Sequence, residues 1–183
     1  MVIEEAFLKE LRHKPLEKIS IVEICRRANV NRSTFYSNYL DVYDLMDQVA
    51  DRFFRELFQN CVAELGEPNP NSNTDAVPFI RHALDATLAQ RELCRLLVGS
   101  TYRAPFLTRL LDSLLDWSAK RYRCYSGQES QQFLLENTMI FGGTLVLWQR
   151  WVEGDFQESP QLLTGVINRY ILENTRRIWN PHP

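Results

Sequence analysis

The stretch Ser20 to Tyr39, SIVEICRRANVNRSTFYSNY, leaves this chain few ways to fold. Ser20 stands three residues before Glu23, the spacing at which each side chain satisfies the other's free backbone N–H at a helix start. Ile21, Ile24, Cys25 and Ala28 recur at i, i+3, i+4 and i+7 and give that helix one apolar face. Asn29 follows, a residue that tolerates the left-handed backbone of a tight turn, and Asn31 is placed to cap a second, short helix. Ile19 with Ile24, and Val30 with Phe35, have the spacing of hydrophobic staples. On the second helix Phe35 and Tyr39 share one face, while Arg32, Ser33, Tyr36 and Ser37 share another. An outward face of arginine, hydroxyls and phenol suits phosphates and base edges. It suits equally a capped surface helix with ordinary polar decoration.

The rest of the chain reads as helix. Ile3, Ala6, Phe7 and Leu11 predict a first helix ending around His13, before Pro15. Asp41 is placed to cap a long helix to about Leu65, striped by Met46, Val49, Ala50, Phe53 and Leu57. Gly66 to Asp75, GEPNPNSNTD, is a loop. Further helices are expected from Ala76, near Glu92 up to Gly99, from Pro105 to Tyr125, from Ser130 to Val152, and after the Ser159-Pro160 cap. The fold class is all-α.

Composition excludes several kinds of function. The cysteines, Cys25, Cys61, Cys94 and Cys124, have neither disulfide-framework nor metal-ligand spacing, which suits a reducing cytoplasm. Glu4 and Glu5 interrupt the N-terminal apolar stretch, so no signal peptide is read there, and no run approaches the ~18 apolar residues of a membrane span. His13, His82 and His182 are isolated, and Gly142-Gly143 lacks the context of a phosphate loop. No metal, cofactor or catalytic activity is expected. The net charge of −2 conceals a local bias: Lys9 to Tyr39 holds seven bases against three acids. Phosphate attraction depends on such a patch, screened over ~10 Å, more than on the total.

The segment KPLEKISIVEICRRANVNRSTFYSNYLDVYDLM resembles the DNA-binding domain of the TetR family of bacterial transcriptional regulators. There a first helix ends near a K-P turn, a short helix starts at Ser or Thr, and a recognition helix with an S/T-F-Y core precedes a long connecting helix. The dense match lies in the first quarter of the chain; the remainder is similar in helical layout only. The resemblance implies an N-terminal three-helix helix-turn-helix domain over residues 1–45 and a helical regulatory and dimerisation domain over 46–183. It implies a repressor that binds double-stranded operator DNA as a homodimer and is relieved by a small-molecule effector. Ser20 and Tyr36 would then contact phosphates, Arg32, Ser33 and Thr34 would reach base edges, and Asn31, Ser37 and Asn38 would complete the DNA face.

In the same scheme Phe54, Phe58, Phe79, His82, Tyr102, Phe106, Trp117 and Trp148 would line a pocket for an apolar or aromatic effector, unless they are plain core. Phe141, Gly142, Leu145, Trp148, Leu163, Val166, Ile167 and Tyr170 would form a four-helix dimer interface, unless both helices complete a monomeric core. Asn38 stands where the family often has histidine and Val42 at a common lysine position; the basic arm common ahead of the first helix is not read here, either because the start is assigned too late or because this member does without it. The expectation is a specific but modest operator affinity with a shallow salt dependence. The rival is a TetR-like dimer without DNA binding that acts through a ligand or protein partner.

Overall fold

The computed structural model describes residues 2–64, 77–121 and 128–179, with side chains over 2–57, 77–120 and 131–171. Among the described residues all regular structure is helical: α1 (Val2–Leu11), a 3-10 turn (Leu16–Lys18), α2 (Ile21–Ala28), α3 (Arg32–Tyr36), α4 (Val42–Glu64), α5 (Val77–Ala89), α6 (Arg91–Gly99), α7 (Arg103–Arg121), α8 (Gln128–Glu153) and α9 (Pro160–Trp179). The all-α expectation holds. The 66–75 loop and the side chain of Phe58 lie outside what is described.

The local signals act where the spacing puts them. Ser20 and Glu23 form a full capping box on α2, and Asn29 ends that helix at φ 54°. Asn31 caps α3 through the Thr34 N–H at 2.8 Å. The Asp41 carboxylate accepts from the N–H groups of Tyr43 and Asp44, both at 2.8 Å, and starts α4. Ser159 caps α9, with Pro160 at its first position.

Packing joins these helices into one core. α1, α2 and α3 bury Phe7, Leu11, Ile24, Ala28 and Phe35 against the first half of α4, which contributes Leu45, Met46, Val49 and Ala50. α4 continues against α5, α5 against α9, and α8 against α6 and α7. α4 is therefore common to both halves of the molecule.

A buried carboxylate fixes how α1 lies on α4. Glu4 is only 4% exposed. The Arg52 guanidinium on α4 donates to both of its oxygens, and the Tyr39 hydroxyl donates at 3.0 Å. Burial by itself raises the Glu4 pKa, but the Arg52 and Tyr39 hydrogen bonds and the Arg52 charge together hold it below the ordinary value. A second polar cluster pins α7 to α4. Arg109 reaches Asp47 at 2.6 Å and Asp51 at 2.7 Å and donates to the Tyr102 hydroxyl at 3.1 Å, while that hydroxyl donates to Asp47.

Tyr39→Phe removes one hydrogen bond to the buried carboxylate and should lower stability by about 1.5 kcal/mol near neutral pH in urea denaturation. Because the folded Glu4 pKa is depressed, this contribution is present above the unfolded value, ~4.3 for glutamate. It is lost as pH falls through the lower folded value, so the gap between variant and wild type should close in acid.

Candidate functional site

The second helix of the helix-turn-helix presents an exposed polar surface. Asn31, Arg32, Ser33, Thr34, Tyr36, Ser37 and Asn38 are all exposed, while Phe35 is fully buried beneath them. One aromatic anchor thus holds a five-residue helix with its polar side outward. Phe35 packs edge-on against Tyr36, ring centroids 5.7 Å apart, and Tyr36 still keeps 57% of its surface.

The hydrogen bonds decide what each group offers. The Asn31 Oδ1 atom accepts from the Ser33 hydroxyl at 2.7 Å, the Thr34 hydroxyl at 2.8 Å and the Thr34 N–H. Ser37 donates to the Ser33 carbonyl and Asn38 Nδ2 to the Thr34 carbonyl, both at 2.8 Å. In the free protein these protons are engaged within the segment, while Arg32, the Tyr36 hydroxyl, the Asn31 amide N–H groups and the second Asn38 amide N–H remain open donors among the described residues. The Ser20 hydroxyl likewise donates to Glu23 at 2.6 Å.

Charge is partitioned in the same way. Every acid in the Lys9–Tyr39 segment is engaged: Glu10 with Arg27 at 2.7 Å and Lys14 at 3.4 Å, Glu23 with Lys14 at 2.7 Å, and Glu17 by a hydrogen bond with Thr101. Lys9, Arg12, Lys18, Arg26 and Arg32 are exposed and, among the described residues, have no ion pair. The positive excess is therefore carried by free cations. Val42, by contrast, is 8% exposed and packs in the core, so that position presents no side chain to a polyanion.

No protein-family model matches the chain, and no curated protein matches its sequence. Among solved structures the chain is similar to the TetR family repressor AlkX from Dietzia sp., implicated in biodegradation of n-alkanes. The likeness has a TM-score of 0.58 over 96% of this chain and 97% of that one, at 14% sequence identity. The fold is TetR-like.

Within this TetR-like fold the body carries two further features. One is an apolar cavity of about 90 Å³ between α4, α5, α7, α8 and α9. Of the aromatic residues singled out in the sequence, Phe79 and Trp148 line it. Trp117 stacks on Phe79 from behind, and Phe54 and Phe106 stack on one another with centroids 5.2 Å apart. His82 is half-buried and not part of the wall, and Tyr102 belongs to the Arg109 cluster. Phe53, Leu57, Ile80, Leu84, Leu110 and Leu114 supply most of the remaining wall. Their stripe positions read equally well as core; the signal separating them was polar, Thr87 and Thr144 set inside apolar faces.

The other feature is an outward apolar face on the last two helices. Leu135, Met139 and Val146 on α8, and Leu162, Val166 and Tyr170 on α9, are each between 38% and 68% exposed. Gly142, Gly143 and Gly165 lie on these helices, and a methyl group on any of them would meet nothing within 4 Å, so the backbone is open to approach there. Of the interface residues expected from sequence, Val166 and Tyr170 lie on this face, and Phe141 and Gly142 are half-buried. Leu145, Trp148, Leu163 and Ile167 are covered by their own chain, three of them lining the cavity, because an apolar helix must satisfy its own core first.

Glu23 is held down to about 2, chiefly by Lys14, then by the Ser20 hydroxyl and N–H. A carboxyl-detected NMR titration should find its midpoint near that value, and Lys14→Ala should move it up toward ordinary glutamate. The sign follows: the contribution of the box is present above the unfolded glutamate value and is lost as pH falls toward about 2.

Proposed function

We propose that this protein is a TetR-like transcriptional regulator, a repressor that binds operator DNA as a homodimer. The observation that carries the reading is α3: a buried Phe35 presents an exposed polar helix whose Arg32 has no ion pair among the described residues, beside four further cations in the same condition. Arg32 is the one side chain there able to make a bidentate contact with guanine O6 and N7. Tyr36 is suited to a phosphate, as are the N–H groups at the start of α2. The Ser33, Thr34 and Ser37 hydroxyl protons and one of the two Asn38 amide protons are engaged internally and would have to exchange those bonds for base or phosphate contacts, which favours modest affinity. In a twofold dimer the two recognition helices would enter successive major grooves ~34–36 Å apart.

The outward α8–α9 face is the natural dimer surface, since its apolar residues stand exposed in the monomer and its glycines permit close helix approach. The effector would occupy the apolar cavity, where Phe53 and Leu57 of α4 form part of the wall. A ligand that favours a different α4 position would weaken operator binding in proportion to its preference for that conformation. AlkX is implicated in biodegradation of n-alkanes, and an apolar effector is in keeping with that.

One observation favours the rival, a dimer that acts without DNA. The first N–H groups of α4 are taken by Asp41, and Asp44 accepts from the Leu40 N–H, so that helix end carries acids rather than a phosphate site.

Fluorescence anisotropy with the protein's own promoter at low salt decides between them. Arg32→Ala should weaken binding by about 5- to 150-fold, the equivalent of 1–3 kcal/mol, and relax sequence preference at one base pair. No binding by the wild type at low salt would overturn the regulator reading. For the dimer, Val146→Glu combined with Val166→Glu should give monomers in analytical ultracentrifugation with helicity unchanged. A wild-type monomer at micromolar concentration would sink the interface.

A further inference from the structure

Asn31 has an asymmetry that its place in the sequence does not reveal. As the cap of α3 it turns Oδ1 toward the Thr34 N–H at 2.8 Å, and that backbone donor fixes which end of the amide is oxygen and which is nitrogen. The oxygen is fully occupied, since the Ser33 hydroxyl also reaches it at 2.7 Å and the Thr34 hydroxyl at 2.8 Å. An amide oxygen has two lone pairs, so a further donor finds none vacant. The nitrogen is the opposite. Asn31 is exposed, and among the described residues neither proton of Nδ2 has a partner. Arg32 beside it is exposed, has no ion pair among the described residues, and likewise only donates.

Asparagine in the major groove ordinarily pairs with adenine: Oδ1 takes an N6 proton while Nδ2 donates to N7. Asn31 can accept that proton only by giving up bonds that start α3, and a helix of five residues has no propensity of its own to replace them. We infer that Asn31 is a specificity-determining residue of the recognition helix and selects a keto base, guanine or thymine, against adenine and cytosine. Guanine O6 and thymine O4 each accept from Nδ2. The N6 amino group of adenine and the N4 amino group of cytosine would face it donor to donor, and the engaged Oδ1 cannot relieve them. Residues at the start of a recognition helix are the ones that reach base edges, which is where Asn31 and Arg32 stand. The Ser33 and Thr34 hydroxyls serve either kind of base and do not counter the selection. The element recognised in each half-site is then two neighbouring base pairs, a guanine at Arg32 and a keto base at Asn31. This selection rests on the operator-binding reading above and gives it a chemical rule at one base pair.

The test is selection of bound sites from a randomised DNA duplex library by the full chain, then fluorescence anisotropy on the selected site with each base pair exchanged in turn. Asn31→Ser keeps a capping oxygen and removes the amide, so it marks the position that Asn31 reads: preference there should flatten while the others stay. In the wild type that position should favour guanine or thymine over adenine and cytosine by at least about fivefold. Asn31→Asp also keeps the cap but turns both donors into an acceptor, so preference at the same position should pass to cytosine or adenine, with the guanine read by Arg32 unchanged. Circular dichroism checks that both variants stay helical; if the added charge abolishes binding, the wild-type position and Asn31→Ser decide. Adenine or cytosine at the Asn31-dependent position would overturn the inference. So would a loss in Asn31→Ser that is uniform across all sequences, the mark of a phosphate contact, or no change at any position. Each of these leaves operator binding itself standing, whereas a wild type that enriches no DNA at low salt sinks both.

Discussion

The carboxylate of Glu4 sets the geometry on which the rest of the N-terminal structure depends. Taking a charge out of water costs several kcal/mol unless partners replace its hydration. Here the partners come from two other places in the chain, Arg52 on α4 and Tyr39 just after α3. Three elements must converge for that site to be satisfied, and any other docking of α1 would strand the charge. Apolar packing by Phe7, Phe35 and Met46 supplies the attraction between these helices; the ionic site selects one arrangement among many apolar ones.

The same economy of partners shapes the exposed helix. Five helical residues are far too few to persist by propensity. α3 exists because Asn31 engages three donors at its start, Ser37 and Asn38 close its end, and Phe35 roots it in the core. The groups that stabilise it are those that face outward, so at their engaged protons contact with a nucleic acid would exchange bonds rather than fill vacant ones. The exposed cations of the first three helices are then the main uncompensated attraction, one that falls as salt rises.

In the body, one set of apolar helices serves two surfaces. Leu145, Trp148 and Ile167 turn inward to a small apolar cavity, while Met139, Val146 and Val166 turn outward. α4 connects the cavity to the N-terminal helices, since Phe53 lies in the cavity wall and Arg52, its neighbour in sequence, holds Glu4. The Arg109 cluster ties α7 to the same helix at Asp47 and Asp51.

The sequence by itself determined what short-range chemistry can specify. The capping box at Ser20, the left-handed Asn29, the Asn31, Asp41 and Ser159 caps and the order of helices are fixed by neighbours within about four residues, and all are in place. Only the tertiary structure decided which side of an apolar helix meets its own chain. α8 is apolar nearly all round, so its period could not separate Trp148, facing inward, from Val146, facing out. Nor could it separate cavity wall from close-packed core, because both ask for the same side chains. Glu4 makes the point most sharply: it reads as a surface acid interrupting an apolar run, and its role depends on an arginine 48 residues away that only folding brings to it.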